Sequence, residues 1–242
     1  MSDTVLDIGY KLSDEVGLPR YANLIGNQDQ NARRISTSIS DGLLIDAFRD
    51  RDWEMLRKPA SIPVDSAASD SGTYPLPTDF DRIINDTIWD EVNYNKVRGP
   101  VDLREWQEFE KGFAQLAGLE LVCRIQGDQT NNVKVMVFYP DDSTVTTVSL
   151  WYISNKCVIS SGGTLKTSIS ADDDTFLIPS DVVRAASKWR LLRSLGMSFQ
   201  DERLEYSSLL DDLSANDSGA KKIHTNRMVK YDIANIPEVG FG

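Results

Sequence analysis

Apolar residues recur at helical spacing in two segments at the start of the chain. The first segment carries Val5, Ile8, Leu12 and Val16. The second carries Ala32, Ile35, Ile39, Leu43 and Ala47. A period of three to four residues predicts two amphipathic helices, the first ending at Gly17 and the second spanning residues 28–50. We expect a short turn holding Trp53 and Leu56 to follow.

The period changes to two between residues 119 and 170. The alternating apolar positions are Leu119, Leu121, Cys123 and Ile125, then Val133, Val135 and Val137, then Val148, Leu150 and Tyr152. Turn sequences such as Gly127-Asp128 and Gly162-Gly163 separate the runs. Consecutive strands with short turns predict an antiparallel β meander.

Helical spacing returns after Pro179 in two further segments. The first carries Val182, Ala185, Trp189, Leu192 and Leu195, and the second carries Tyr206, Leu209, Leu210 and Leu213. A short helix carrying Trp106 precedes the strands. Since helices at both ends flank the strands, we predict an α+β fold whose β segment is an insertion. The helical bundle would comprise residues 1–57 and 179–219, the insertion residues 58–178 and an extended C-terminal arm residues 220–242.

Residues 74–89 form the most distinctive segment of the predicted insertion. Pro75 and Pro77 fix their own φ angles and push the preceding residues into extended geometry. We expect Asp79 and Asp81 to bond backbone amides in the turn that follows. The apolar side chains that end the segment are Phe80, Ile83, Ile84, Ile88 and Trp89. Because the segment holds no His, Cys, Ser or Lys, it predicts a stiff architectural strap.

Composition and charge exclude several classes of function and location. The 242-residue chain has a net charge of −11, which disfavours a sequence-reading DNA-binding role. It holds no apolar run long enough to cross a membrane, so we expect no membrane partner. Residues 1–4 are acidic and lack the features of a signal peptide, which favours a cytosol-like compartment.

Candidate catalytic and metal-binding residues are few. His224, the only histidine, lies in the irregular C-terminal segment, where a general base is hard to position. Cys123 and Cys157 are expected to be buried free thiols. The run at residues 172–174 and the pair Asp211-Asp212 are interpreted as solvated carboxylates, and Gly162-Gly163 as a hairpin turn. We therefore predict no catalytic residue, no metal and no cofactor.

Three alternatives stay open at this point. Carboxylate pairs such as Asp90-Glu91 leave a virion-associated peptidoglycan hydrolase as the alternative function. The five tryptophans favour core positions over base stacking, because no basic stripe accompanies them. Exposed arginines on the second helix suit either a solvated face or ion pairs between subunits. These are Arg33, Arg34, Arg49 and Arg51.

Several short motifs, taken in order, resemble one known family. They are Gly17-Leu18-Pro19, the helix opening at residues 28–34, Arg51-Asp52-Trp53, Leu76-Pro77-Thr78-Asp79-Phe80, Trp106, Leu177-Ile178-Pro179 and Trp189. Over residues 1–220 the chain resembles the head-to-tail connector (adaptor) proteins of tailed bacteriophages, the group that includes tail tubular protein A. The resemblance implies a structural protein of the virion neck that is not an enzyme.

The same resemblance implies partners and a location. Such adaptors form a homo-oligomeric ring, about twelve copies, closed by head-to-tail contacts. The ring would dock between the portal protein and the tail nozzle or tail tube protein. Double-stranded DNA would pass through without sequence-specific binding during genome ejection. The protein would be present in the host cytoplasm during assembly and in the virion neck afterwards.

The predicted C-terminal arm is our candidate partner-binding segment. It mixes apolar and polar residues without any periodicity, which suits ordering against the portal or a neighbouring subunit. The predicted partner-binding residues are Lys221, Lys222, Ile223, Met228, Val229, Tyr231, Ile233, Ile236 and Phe241.

Overall fold

Five α-helices and ten strands make up a mixed α+β fold in the described part of the chain. The computed structural model describes residues 3–64, 72–111, 121–128, 133–139 and 147–217. The helices are α1 (Val5–Val16), α2 (Gln30–Asp41), α3 (Leu103–Glu110), α4 (Ser180–Leu195) and α5 (Gln200–Asp217). The predicted α+β class is therefore confirmed. None of the described helices has both the length and the apolar character needed to cross a membrane.

The strands form three antiparallel sheets. They are β1 (Arg57–Pro63), β2 (Thr73–Pro75), β3 (Phe80–Ile83), β4 (Trp89–Asp90), β5 (Val122–Asp128), β6 (Val133–Tyr139), β7 (Thr147–Ser154), β8 (Val158–Ile159), β9 (Leu165–Lys166) and β10 (Thr175–Phe176). In the first sheet β7 lies between β1 and β3 and also pairs with β4. The second sheet has the order β2-β6-β5 and the third β10-β8-β9.

The described strands do not form the single meander that the alternation predicted. Only β5–β6 and β8–β9 pair with their neighbours in sequence, whereas β7 pairs with the upstream strands β1, β3 and β4. Strand β1 was missed because Pro59 and Pro63 disfavour a strand. The two prolines are tolerated here because, among the described strands, β1 lies at the edge of its sheet and pairs with β7 alone. Residues 74–89, predicted as a separate strap, supply strands to two sheets.

The second predicted helix is confirmed as α2 continued by a π-helical turn, Gly42–Ala47. Every residue of its predicted apolar stripe is fully buried. A Cβ on Gly42 would lie 2.8 Å from Oγ and 2.9 Å from the backbone nitrogen of Ser187 on α4. Gly42 therefore permits the close approach of this helical run to α4.

Two apolar clusters fill the interior. The helical core is built from α1, α2, the π turn and α4, with Trp53, Leu56, Ile153, Cys157, Val158, Phe176, Ile178 and Tyr206. The strand core comprises Ile62, Val64, Tyr74, Leu76, Phe80, Ile88, Val97, Leu121, Cys123, Met136, Phe138, Val148, Leu150 and Tyr152. Strand β7 contributes to both, since Ile153 lies in the helical core and Tyr152 in the strand core. This shared strand ties the two cores together.

Candidate interaction surfaces

A buried carboxylate holds the proline-rich segment against the first sheet. Asp79 accepts hydrogen bonds from Lys58 Nζ at 2.6 Å, Tyr152 Oη at 2.8 Å and Ser154 Oγ at 2.8 Å. Its side chain is only 12% exposed. Lys58 lies on β1, and Tyr152 and Ser154 lie on β7. Asp79 therefore joins three separate segments of the chain, an arrangement we call the Asp79 node.

The protonation state of the node follows from its partners. Burial on its own raises the pKa of Asp79, but hydrogen bonds from Lys58, Ser154 and Tyr152 and the charge of Lys58 lower it to about 2. Burial raises the pKa of Tyr152, and its hydrogen bond to the Asp79 carboxylate raises it further. Both groups therefore keep one protonation state near neutral pH, which suits a structural role better than proton transfer.

The expected bonding of the strap carboxylates to backbone amides is wrong. Asp79 bonds side chains on two other strands, because the fold brings Lys58 and Tyr152 to it. The Asp81 carboxylate pairs instead with Arg82 Nη1 at 2.9 Å. Arg82 also donates to the Asp52 carboxylate at 2.8 Å and to the carbonyl oxygen of Arg51 at 2.8 Å. The strap is thus bound to the helical body as well as to the sheet.

The acidic run before α4 is also structural, which corrects its interpretation as a solvated turn. The Asp174 carboxylate is fully buried and accepts from Lys166 Nζ at 2.6 Å and from the backbone N–H of Ser170 at 2.8 Å. Burial raises the pKa of Asp174, but these partners hold it below its usual value. Asp172 accepts from the backbone N–H of Ile25 at 3.0 Å. Only Asp173 is exposed.

The cysteine prediction is confirmed. Cys123 and Cys157 are both free and fully buried. Burial raises the pKa of the Cys123 thiol to about 12 and that of the Cys157 thiol to about 11. Neither is therefore a thiolate near neutral pH. Within the described residues, no group of three or more His, Cys, Asp or Glu side chains is arranged to hold a metal ion.

The tryptophans divide into two groups. Trp53, Trp106 and Trp189 are buried, as predicted, but Trp89 and Trp151 are 46% and 47% exposed. Trp89 lies opposite Ser149, two residues from Trp151 on β7, so both indoles belong to one face of the sheet. Pro59 and Ser61 of β1 lie opposite Trp151 and Ser149 on that same face. We call this surface the tryptophan face; the alternation in β7 was the sequence signal for it.

A surface groove of about 610 Å³ runs along α2 and α4 and is lined by arginines from both helices. Arg190 is neutralised there by Asp46, with Nε 2.5 Å and Nη2 2.7 Å from the two carboxylate oxygens. Arg33, Arg34 and Arg193 make no hydrogen bond or ion pair with any described residue. We call this surface the arginine groove. Arg33 is exposed, as predicted, but Arg34 is half-buried against the groove.

Helix α5 presents an acidic face to solvent. Tyr206 is buried and donates to the Asp50 carboxylate at 2.9 Å, which fixes the inward side of the helix. The opposite side carries exposed residues that we call the α5 stripe: Asp201, Leu204, Glu205, Asp211 and Asp212. The predicted solvation of Asp211 and Asp212 is confirmed. Leu204 is 69% exposed within this face.

The predicted C-terminal arm lies outside the described residues. This applies to His224 and to the whole partner-binding set: Lys221, Lys222, Ile223, Met228, Val229, Tyr231, Ile233, Ile236 and Phe241.

The exposed surfaces described above suit a structural protein that works by binding other proteins. The comparison with protein families supports the same class of protein. The family model described as SU10 adaptor protein matches residues 15–228. The chain therefore belongs to the SU10 adaptor protein family and is a bacteriophage adaptor. The resemblance to phage adaptors is confirmed at this level, while the likeness to tail tubular protein A stays a prediction. No curated protein matches the chain significantly.

Proposed function

We propose that this chain is a subunit of an adaptor ring in the phage neck, located between the portal protein and the tail nozzle or tail tube. The observation that carries the proposal is the family match over residues 15–228, which spans helices α2 to α5 and all three sheets. The ring, about twelve copies in our proposal, would surround the passage for double-stranded DNA.

The geometry supports a subunit that contacts different neighbours through different surfaces. A closed ring needs two unlike faces on each subunit, because head-to-tail contacts join one face to the other. The arginine groove and the α5 stripe are two such faces of opposite charge. The tryptophan face is a third surface, with two exposed indoles, which we assign to a tail component.

The body of each subunit would be the helical bundle of residues 1–57 and 179–219, with residues 58–178 as the insertion. The arm at residues 220–242 would order against the portal protein or a neighbouring subunit. The net charge of −11 would keep passing DNA from adhering to the ring. It would also keep the free subunit soluble in the host cytoplasm before assembly.

The described carboxylates give no support to the peptidoglycan hydrolase alternative. Such an enzyme uses one protonated and one charged carboxyl group across a cleft. Asp79 and Asp174 are instead held charged by fixed partners. Asp90, of the pair Asp90-Glu91, is buried and accepts from the backbone N–H of Val92 at 2.9 Å and from Asn93 Nδ2 at 2.7 Å.

Deletion of the gene, followed by complementation, tests the proposal. Without the protein we expect DNA-filled heads that lack attached tails, and complementation with the full chain should restore complete particles. A chain lacking residues 220–242 should fold, by circular dichroism, yet fail to enter particles. Tailed, infectious particles from the deletion strain would overturn the neck assignment, and normal incorporation of the truncated chain would overturn the role of the arm.

A further inference from the structure

The arginine groove is a concentration of unpaired positive charge on an acidic protein. Asp46 neutralises Arg190, but Arg33, Arg34 and Arg193 have no acidic partner among the described residues. All of them line one groove between two rigid helices. Arginine on a rigid element is suited to bidentate recognition of planar anions, carboxylates above all. The groove therefore fits an acidic surface supplied by another molecule.

The α5 stripe has the matching chemistry on the same subunit. Asp201, Glu205 and Asp212 follow one another at intervals of four and seven residues, which places them on one face of the helix. Arg203, the only basic residue of α5, lies away from that face with its guanidinium over the Trp189 ring. None of the stripe carboxylates pairs with a basic group elsewhere in the described chain. The stripe is thus a helical row of free carboxylates.

We propose that the arginine groove of one subunit binds the α5 stripe of a second copy of this chain. Guanidinium groups would pair with carboxylates across the contact, and the exposed Leu204 would cover the aliphatic stems of the arginines. The groove and the stripe share no residue, so a head-to-tail contact between them leaves one of each free on the outer subunits and can propagate into a ring. This inference rests on the proposed function and identifies the surfaces that would close that ring.

Nucleic acid is the other polyanion that arginines attract, and the groove fits it less well. Binding to DNA requires several phosphate contacts, and affinity grows with each phosphate neutralised. The groove offers three free arginines, and Asp41 among its lining residues would repel a phosphate backbone. The net charge of −11 also repels duplex DNA at longer range. A second copy of the chain is also acidic, but its stripe needs only a few carboxylates to match the few free arginines of the groove.

A charge-reversal series tests the contact in assembled particles. Arg33→Glu with Arg34→Glu reverses the groove, and Glu205→Arg with Asp212→Arg reverses the stripe. Each pair should lower the copies per particle, counted by quantitative mass spectrometry, about tenfold or more, because like charges then face each other. Combining all four changes restores opposite charges and should bring the count back to within about twofold of wild type. Circular dichroism checks the fold of each variant.

The matched control reverses the same amount of charge elsewhere. Arg104→Glu with Lys111→Glu changes two exposed positions at α3 and should leave the copy number unchanged. Wild-type copy numbers for both reversed pairs, or no recovery in the combined variant, would overturn the contact and leave the neck assignment standing. Absence of the wild-type chain from particles would overturn both. Normal assembly with arginine-dependent binding of a short DNA duplex, measured by fluorescence anisotropy, would assign the groove to DNA instead.

Disulfide crosslinking distinguishes head-to-tail association from a symmetric dimer. A chain carrying Arg34→Cys and Glu205→Cys should form a ladder of covalent multimers when assembled particles are oxidised. Either single variant should give no such ladder, since Cys123 and Cys157 are fully buried. Bands that stop at the dimer in the double variant would contradict head-to-tail packing.

Discussion

The helical core and the strand core are held together in different ways. The helical core is made of apolar side chains from long helices, and most of its members are fully buried. The strand core joins short segments that are far apart in the sequence, and the charged Asp79 node lies at its edge. The stability of the helical core should therefore depend most on its apolar volume, and that of the strand core on the charge of Asp79. Different substitutions can therefore destabilise each core separately within one subunit.

Truncation of Leu43 should have the largest effect. Leu43 lies in the π turn and is fully buried in the helical core. Leu43→Ala is expected to lower the free energy of unfolding by about 2–5 kcal/mol, since it removes apolar contacts and leaves a cavity. Urea unfolding followed by circular dichroism measures the change. Ile45→Ala, in the same turn but 45% exposed, is the control and should cost about 0.5 kcal/mol or less.

Removal of the Asp79 carboxylate should be the next largest change. Asp79→Ala leaves the Lys58 ammonium and the Tyr152 and Ser154 hydroxyls without their shared acceptor. We expect a loss of about 2–3 kcal/mol in the free energy of unfolding, measured by the same urea titration. Asp81→Ala, at the more exposed neighbouring carboxylate, should cost about 1 kcal/mol or less. Equal losses in the two variants would contradict a special role for the node.

Acid should weaken the strand core through the same residue. The pKa of Asp79 is lowered to about 2 in the folded chain, below its ordinary value of 3.8. The stabilisation it provides is therefore complete above that ordinary value and is lost as the pH falls from about 4 towards about 2. Between these limits the wild type should lose about 2 kcal/mol more than Asp79→Ala. Parallel pH profiles for the two proteins would refute this linkage.

The smallest expected effect is a change in the rate of thiol labelling. This measurement compares the two cores within one molecule. Cys123 belongs to the strand core and Cys157 to the helical core. Both should resist alkylation at pH 8, because burial raises their pKa values. In the Asp79→Ala variant, Cys123 should label faster while Cys157 stays protected. Mass spectrometry of the labelled peptides distinguishes the sites, and equal acceleration of both would show that the cores open together.

The sequence predicted what depends on local spacing. The stripe that includes Ile35, Ile39 and Leu43 is fully buried as expected, because helical periodicity is a property of one short segment. The strand pairings could not be read in this way. Strand β1 pairs with β7, which is far away in the chain. Its two prolines also make its sequence atypical of a strand. The node on Asp79 was missed for the same reason, since Lys58 and Tyr152 are brought to it only by the fold.

The candidate surfaces also divide into those predictable from local spacing and those that depend on the tertiary fold. The exposure of Arg33, Asp211 and Asp212 was predictable from their positions on amphipathic helices. The arginine groove was not, because it needs Arg193 from the other end of the chain beside α2. The exposed pair of Trp89 and Trp151 likewise depends on the pairing of β4 with β7. Surfaces made by two distant segments require the tertiary structure.

Electron cryo-microscopy of the neck of the assembled particle is the decisive measurement. We expect a closed ring of copies of this chain between portal and tail, with the arginine groove of each copy against α5 of the next. A neck that lacks this chain would contradict the adaptor ring. A ring whose grooves face the DNA passage or solvent would contradict the contact that we propose between subunits.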